Sequence, residues 1–507
     1  MKVIKFGGSS LANGTQLKKV LQIVKDDADR RIVVVSAPGK RNDSDEKVTD
    51  LLIKLADEVK NKEDHKKTLK TILKRYQDIV EELEIDPSVM EIISQNYEEL
   101  IQAKFYNELY ALDAYKASGE NNSAILVAAF FNKEGIPAKY INPKDAGLLV
   151  TDNPGNARVL PESYKNLYAL RDSKEVIIFP GFFGYTKEGQ LLTFSRGGSD
   201  ISGAIVANGV KASLYENFTD VDAIYVANPK MVKHPKKIKQ LTYREMRELS
   251  YSGFSVFHDE ALQPAFSAGI PVVVKNTNNP SAPGTSITRT KPENKQIVSG
   301  IASSTGFMSI YIGKYLMNRE VGFGRRVLQI FEDFNLNFEH MPSGIDDLSI
   351  ILRANQMTMQ QEQELLYRLK NELEADDVHV KGGICLLMIV GEGMVNSVGT
   401  VAKACTALAE ADINLEMINQ GSSEVSIMFG IDEKDEARAV KTGAWGTAAP
   451  HIRHTEIFFG FLNHPCELFI RKGFRWNIIL ETTAGATSTA CADTARCAAA
   501  DLLQGIL

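Results

Sequence analysis

Lys5-Phe6-Gly7-Gly8-Ser9-Ser10 follows directly on a short β-branched apolar run, and a helical pattern begins at about Gly14. The run reads as a strand, so the paired glycines sit where a strand turns into a helix. Several backbone N–H groups then surround one point, and only glycine lets the backbone come that close to an anion. Lys5 adds a mobile positive charge on the same rim. The wording fits a phosphate cradle, and fits an ordinary strand-to-helix turn as well. It is not the Walker form, since G-x-x-x-x-G-K-[ST] occurs nowhere in the chain, and no G-x-G-x-x-G opens a helix.

Outward from this turn, strands and helices alternate. Val3–Phe6 and Ile32–Ser36 read as buried strands with an amphipathic helix between them. From about Asp45 to Ser118 the pattern is long, charged and helical, which suits a helical excursion packed beside a sheet. Alternation resumes with strands at Ala138–Ile141, Glu175–Pro180, Ala212–Glu216 and Val272–Lys275, and a helix from about Asp200 to Asn208. This implies an α/β fold with a mostly parallel sheet and helices on both faces. In such sheets ligands sit at the carboxyl ends of the strands, where the Gly-Gly turn lies. Asn276–Pro292 reads as the way out of this first domain. Two successive β-α-β-β-α patterns follow, over about 300–380 and 381–441, and suggest a tandem ferredoxin-like module.

From about Thr442 the text changes. Both tryptophans and three of the five cysteines fall there, and Thr482–Ala500 is poor in large apolar residues. Gly443, Gly446 and Pro450 are expected to interrupt the helix that starts near Glu433. The segment 442–507 fits an appended extension or a non-native tail from a shifted frame or fusion, and its composition favours the second.

With 507 residues, about three or four domains are expected. The formal net charge of −6 and the lack of a sustained basic run argue against a nucleic-acid partner. No apolar stretch is long enough to suggest a membrane span, and the N-terminus goes straight into a strand without a charged-then-apolar leader, so export is not expected. The five cysteines show neither metal spacing nor a disulfide framework, so a cytoplasmic location is expected.

Ser195-Arg196-Gly197-Gly198-Ser199-Asp200 is a second site element. Its glycines permit close backbone approach, the following helix offers its positive end to an anion, and Arg196 presents a fork suited to a carboxylate. Asp200 suits a helix cap as well as a catalytic acid. Glu120, in Ser118-Gly119-Glu120 ahead of an expected helix, suits a first-turn acid or a binding role. Thr219-Asp220-Val221-Asp222, with Tyr225 and Lys230 beyond it, fits a nucleotide-edge loop or an acidic turn.

Taken together these elements resemble aspartokinase, of the amino-acid kinase superfamily, over about Met1 to Lys441. The resemblance rests on Lys5–Ser10, Val35–Gly39, Lys47-Val48-Thr49-Asp50, Ser118-Gly119-Glu120, Ser195–Asp200, Phe218–Val221 with Tyr225, and Gly253–His258. It implies a three-layer αβα kinase fold followed by two ACT modules. It also implies phosphorylation of the β-carboxylate of aspartate by ATP with Mg²⁺, the alternatives being a kinase of another amino acid such as glutamate and an amino-acid-sensing protein with an impaired kinase domain. Lys5 and Asp200 would then be catalytic. Lys5, Gly7, Gly8, Ser9, Thr219, Asp220, Tyr225, Lys230, Ser255 and Val256 would meet ATP. Ser36, Thr49, Glu120, Arg196, Gly197, Gly198 and Ser199 would hold aspartate, and no separate protein metal site is implied. Three positions depart from the family pattern: Ser255 where many members carry lysine, Lys230 where arginine is common, and Ala223 where glycine is usual. The ACT pair implies feedback by lysine or threonine, near Met317, Phe323 and Glu339, and a homodimer or larger assembly. Met317 and Phe323 suit a module core equally well.

Overall fold

The computed structural model describes residues 1–448 apart from 196, 255, 256, 258, 259, 292–296 and 396, and of 443–448 it describes the backbone alone. The segment 442–507 therefore lies almost wholly outside the described residues.

The first strand, Lys2–Phe6, shows how the kinase half is built. Side chains alternate across a strand. Val3 joins one apolar core and Ile4 and Phe6 the other, while Ile32 and Val34 of the next strand divide from Val33 and Val35 in the same way. Both faces are therefore buried, as a central parallel strand requires. Lys5 is left on the face of Val3. That face is covered by the helix Gly198–Gly209, whose Ile201, Ala204 and Ile205 belong to the same core as Val3.

Eight strands make this sheet, in the order Ala138–Tyr140, Val176–Pro180, Arg30–Val35, Lys2–Phe6, Leu214–Thr219, Val272–Asn276, Thr285–Thr288 and Gln240–Thr242. Neighbours run parallel except where Thr285–Thr288 meets Val272–Asn276. Phe6 is in register with Val35 on one side and Phe218 on the other, so three strands end level with one another. The second face carries helices Gly14–Lys25, Val48–Lys60, Lys66–Leu83, Ser88–Gln102 and Glu108–Lys133. Three of these five form most of the helical excursion read from the sequence.

Ser118-Gly119-Glu120 does not precede a helix but lies midway along Glu108–Lys133. Glycine there signals close packing rather than a boundary. A Cβ on Gly119 would stand 2.9 Å from the Ala37 Cβ and 3.0 Å from Leu52 Cδ1, so the helix lies directly against the loop after the second strand.

The regulatory half is a single five-stranded sheet, in the order Asp347–Arg353, Gly300–Gly313, Asp377–Val390, Ser426–Asp432 and Met417–Asn419. Its two long central strands pair along almost their whole length. Residues 300–304 pair with Leu386–Val390, and Ile301 packs with Cys385, Leu387, Phe429 and Ile431. Residues 307–313 pair with Asp377–Ile384 on one side and with Asp347–Arg353 on the other, within a separate core of Ile310, Phe331 and Leu365. The two units thus share strands and interleave, rather than following one another as 300–380 and 381–441. Each repeats one device: a short 3₁₀ turn (Met317–Arg319, Glu392–Met394), then a glycine with φ 82° (Gly322, Gly399) opening a helix (Phe323–Asp333, Thr400–Glu410). The last helix runs Glu436–Ala448, straight through Gly443 and Gly446, contrary to the break expected there. A helical glycine costs about 1 kcal/mol, which burial of Ala439 and Val440 in the module core offsets. No described helix is long and apolar enough to cross a membrane.

Candidate active site

Where the three level strands end, their connections converge. Gly7 N–H donates to Phe218 O (3.2 Å), and Ser36 N–H to Phe6 O (3.3 Å). Gly39 N–H donates to Gly8 O (2.9 Å), and a Cβ on Gly39 would lie 2.5 Å from the Gly8 carbonyl carbon. A Cβ on Gly8 would in turn lie 2.9 Å from Ala37 O. The turns after the first two strands are thus locked backbone to backbone, which only glycines allow. Ser10 Oγ completes the turn through a 2.7 Å bond with Thr277 Oγ1.

Lys5 reaches across this turn. Its Nζ lies 2.6 Å from Asp200 Oδ1, and both side chains are largely shielded from solvent. Asn217 Nδ2 donates to the same oxygen (2.6 Å). Asn217 stands in register with Lys5 on the neighbouring strand, which is why both meet one carboxylate. Asp200 sits in the first turn of the helix Gly198–Gly209, which enters through Gly197 without a side-chain cap. The cap reading of Asp200 therefore gives way to a lysine partner from the central strand.

Glu120 enters from the long helix on the opposite face and is 5 % exposed. Its Oε1 lies 3.5 Å from Ser199 Oγ, and its Oε2 is buried with no hydrogen-bond partner among the described residues. Burial pushes the carboxyl up to about 8, against the pull of the Ala37 N–H, the Ser199 hydroxyl and the Lys5 charge. A buried acid with an unpaired oxygen is poised to receive a cation. Ser36 is nearly buried beside the Phe6 carbonyl, and Thr49 is half-buried in the first turn of Val48–Lys60.

Other expected site residues stand further along the rim. Thr219 ends its strand, and its hydroxyl lies 3.2 Å from Asp220 Oδ1. Asp222 is held by Lys237 Nζ (2.7 Å) and Asn276 Nδ2 (2.8 Å), and the lysine's hydrogen bond keeps its carboxyl below the usual range. Tyr225 makes a backbone bridge with Lys237. Lys230 is exposed, with its N–H bonded to Asn228 Oδ1 (3.0 Å). Arg196, Ser255 and Val256 lie outside the described residues. In the regulatory half, Met317 and Phe323 pack into the first module's core. Glu339 is half-buried, 3.9 Å from Arg353 Nε, and burial raises its carboxyl. Asn217 and Thr277 escaped the sequence reading. A lone polar side chain in the strand Leu-Tyr-Glu-Asn-Phe-Thr was the available signal for Asn217.

A lysine–aspartate pair beside a glycine turn and a helix N-terminus, with a buried acid opposite, suits transfer of a phosphoryl group to a small anion carrying an ammonium. Known proteins agree. Residues 1–276 match the amino acid kinase family, and residues 387–442 match an ACT domain. Aspartokinase 3 of Bacillus subtilis is 57% identical over 441 residues, covering 87% of this chain and 97% of the relative. The chain belongs to the aspartokinases. Among solved structures, aspartate kinase of Clostridium acetobutylicum is similar at TM-score 0.76 and 37% identity, over 88% of this chain and 100% of that one. Aspartokinase III of E. coli, in complex with aspartate and ADP, is similar at TM-score 0.72 and 25% identity, over 87% and 98%. As an aspartokinase the chain is an ATP-dependent kinase acting on aspartate.

Proposed function

We propose that the turn Gly7–Ser9 cradles the ATP phosphates and that Lys5 neutralises charge on the transferring group. Asp200 holds Lys5 in place, and Glu120 with Ser199 binds the aspartate ammonium. The observation that carries this reading is the Lys5–Asp200–Asn217 cluster at the ends of three level strands, with the buried Glu120 carboxyl, whose Oε2 has no partner among the described residues, across the site. The β-carboxylate of aspartate attacks the γ-phosphorus, the bond to the bridging oxygen of ADP breaks, and 4-phospho-L-aspartate forms. The nucleophile is ionised at neutral pH, so no general base is required. The obstacle is bringing one anion up to another, and fixed positive groups lower it. Thr49, Ser36, Gly197, Gly198 and Arg196 complete the aspartate site. Thr219, Asp220, Tyr225, Lys230, Ser255 and Val256 line the nucleotide.

Mg²⁺ when bound offsets charge on the phosphates. Among the described residues no three His, Cys, Asp or Glu side chains gather as a protein metal site. Mg²⁺ would arrive with ATP, and the Asp200 carboxylate beside the phosphate turn is the group that would meet it. Lysine or threonine would act in the first module, its ammonium against Glu339 and its carboxylate at the N-terminus of Phe323–Asp333. A second copy would cover the exposed Val398 and Ile418 of the second module, making a dimer or larger assembly.

Hydroxylamine trapping of the acyl phosphate, with ATP, Mg²⁺ and L-aspartate, tests the reading. Hydroxamate from the parent and at least about 100-fold less from Lys5→Met is the expected result, and full activity in Lys5→Met refutes the site. Added lysine or threonine in the same assay identifies the effector.

A further inference from the structure

The helix Lys66–Leu83 belongs to the charged excursion for which the sequence suggests only packing. Three of its side chains nevertheless reach the three segments that frame the site. Arg75, 3 % exposed, donates from Nη2 to Gly39 O (2.5 Å) and from Nη1 to Glu46 O (2.8 Å), and Nη1 lies 3.0 Å from Asp45 Oδ2. The Tyr76 hydroxyl donates to Gly119 O (3.0 Å), one residue before Glu120. Glu82 Oε2 accepts from the N–H of Gly14, the first residue of the helix that follows the phosphate turn (2.8 Å).

Among these, Arg75 is chemically the most demanding. A buried guanidinium is costly unless its donors are paired, and a helix that merely packs has no use for one. Here Nη1 and Nη2 are paired entirely from the loop between the second strand and Val48–Lys60, while Nε has no partner among the described residues. Gly39 lies near the start of that loop and locks Gly8. Glu46 lies near its end, three residues before Thr49. Asp45 also accepts from Arg41 Nε (2.9 Å), and the Arg41 bond, with Arg75 adding its charge, holds the Asp45 carboxyl down at about 2. The anion is therefore present at every pH where a kinase would be assayed.

We propose that Arg75 is a positioning residue of the kinase reaction. By gripping Gly39 and Glu46 together it sets the distance between the phosphate turn at Gly8 and the aspartate-side helix start at Thr49. The inference rests on ATP lying over Gly7–Ser9 and aspartate lying beside Thr49 and Glu120. Two substrates held by two different loops need those loops in fixed register, and a shift near 1 Å costs up to about 100-fold in rate.

The test uses the full chain with Arg75→Gln, Arg75→Lys and Asp45→Asn, and Lys5→Met as the reference for the site itself. kcat, KM for ATP, KM for aspartate and melting temperature are measured for each. Arg75→Gln should lose roughly 10- to 100-fold in kcat/KM, with KM raised for both substrates. Arg75→Lys keeps the charge and one carbonyl bond and should recover part of that loss. Asp45→Asn leaves both carbonyl bonds and should fall between parent and Arg75→Gln. A purely structural arginine would lower the melting temperature and leave the constants of the folded enzyme unchanged; that result overturns the proposal. If Arg75→Gln does not fold, Arg75→Lys and Asp45→Asn decide by the same criterion. An active Lys5→Met would instead refute the placement of the substrates, whatever the Arg75 variants do.

Discussion

Replacing Glu120 by glutamine should make the protein more stable and the enzyme worse, by amounts that depend on pH in opposite senses. The carboxyl titrates near 4.5 in the unfolded chain and near 8 in the fold, because burial opposes its charge. Between those values the folded state holds a proton that the unfolded state has released. Stability is therefore greatest below 4.5 and falls as pH rises through 8. The full difference is about 5 kcal/mol, an upper bound that water in an open cleft reduces. Glutamine mimics the protonated acid and carries no such cost. Parent and Glu120→Gln should melt together at pH 5, and by pH 9 the variant should melt several degrees higher. Binding runs the other way. An ammonium needs the ionised acid, which is roughly one molecule in eleven at pH 7 and half at pH 8. KM for aspartate in the parent should then fall about fivefold over that unit, with proton release on binding. In Glu120→Gln, KM should be high and flat over the same range. Differential scanning fluorimetry across pH 5–9 and initial-rate kinetics at pH 6–8 read both arms. A melting difference that does not grow with pH, or a variant KM that still falls with pH, would refute the assignment of this carboxyl to the ammonium.

Further outcomes can be checked directly. Lys5→Met should lower kcat by about 100- to 1,000-fold, the usual cost of removing a charge-stabilising donor, and should also lower the melting temperature, because Asp200 loses its shielded cation. Gly39→Ala places a methyl group 2.5 Å from the Gly8 carbonyl carbon; it should destabilise by about 1–3 kcal/mol and raise KM for ATP, read by denaturation and kinetics. Glu245 is fully buried where the two halves meet, accepting from Lys291 Nζ, Ser299 Oγ (2.6 Å), Thr242 N–H and Glu392 N–H. Burial works against its charge, yet these donors outweigh it and hold its carboxyl below the usual value. Glu245→Ala should therefore cost about 3–5 kcal/mol at neutral pH, and less as the parent itself is acidified, as urea titrations at pH 7 and pH 4 would show. A chain ending at Ala448 should keep the kinetic constants of the full chain in the hydroxamate assay, because the likeness to Aspartokinase 3 spans 441 residues.

The alternation of apolar runs and helical faces was enough to read an α/β domain with a mostly parallel sheet and a repeated β-α-β-β-α unit; that they are a kinase and its regulatory pair came from the motifs of the family resemblance. Burial on both faces of Val3–Phe6 and Ile32–Val35 leaves few other ways to fold them. The glycine turn after the first strand and the glycine-bearing helix entry at Gly197 were legible because close backbone approach restricts the residue type at the position itself. Motifs in fixed order carried the family resemblance for the same reason. What escaped depends on partners distant in sequence. Gly119 looked like a helix boundary and is a packing glycine, since Ala37 and Leu52 lie against it. Gly443 looked like a helix stop, and core burial of the preceding turn overrides its weak propensity. The interleaved regulatory sheet arises from pairing of 300–304 with Leu386–Val390, a choice no local pattern records. Asp200 as partner of Lys5, the proton held by Glu120 and the reach of Arg75 to Gly39 likewise exist only once the strands are aligned. Residue type and spacing determined which chemistry this chain can carry. The tertiary structure decided which groups meet and how charged they are, because distance and burial, the quantities that set electrostatic energies, are properties of the fold.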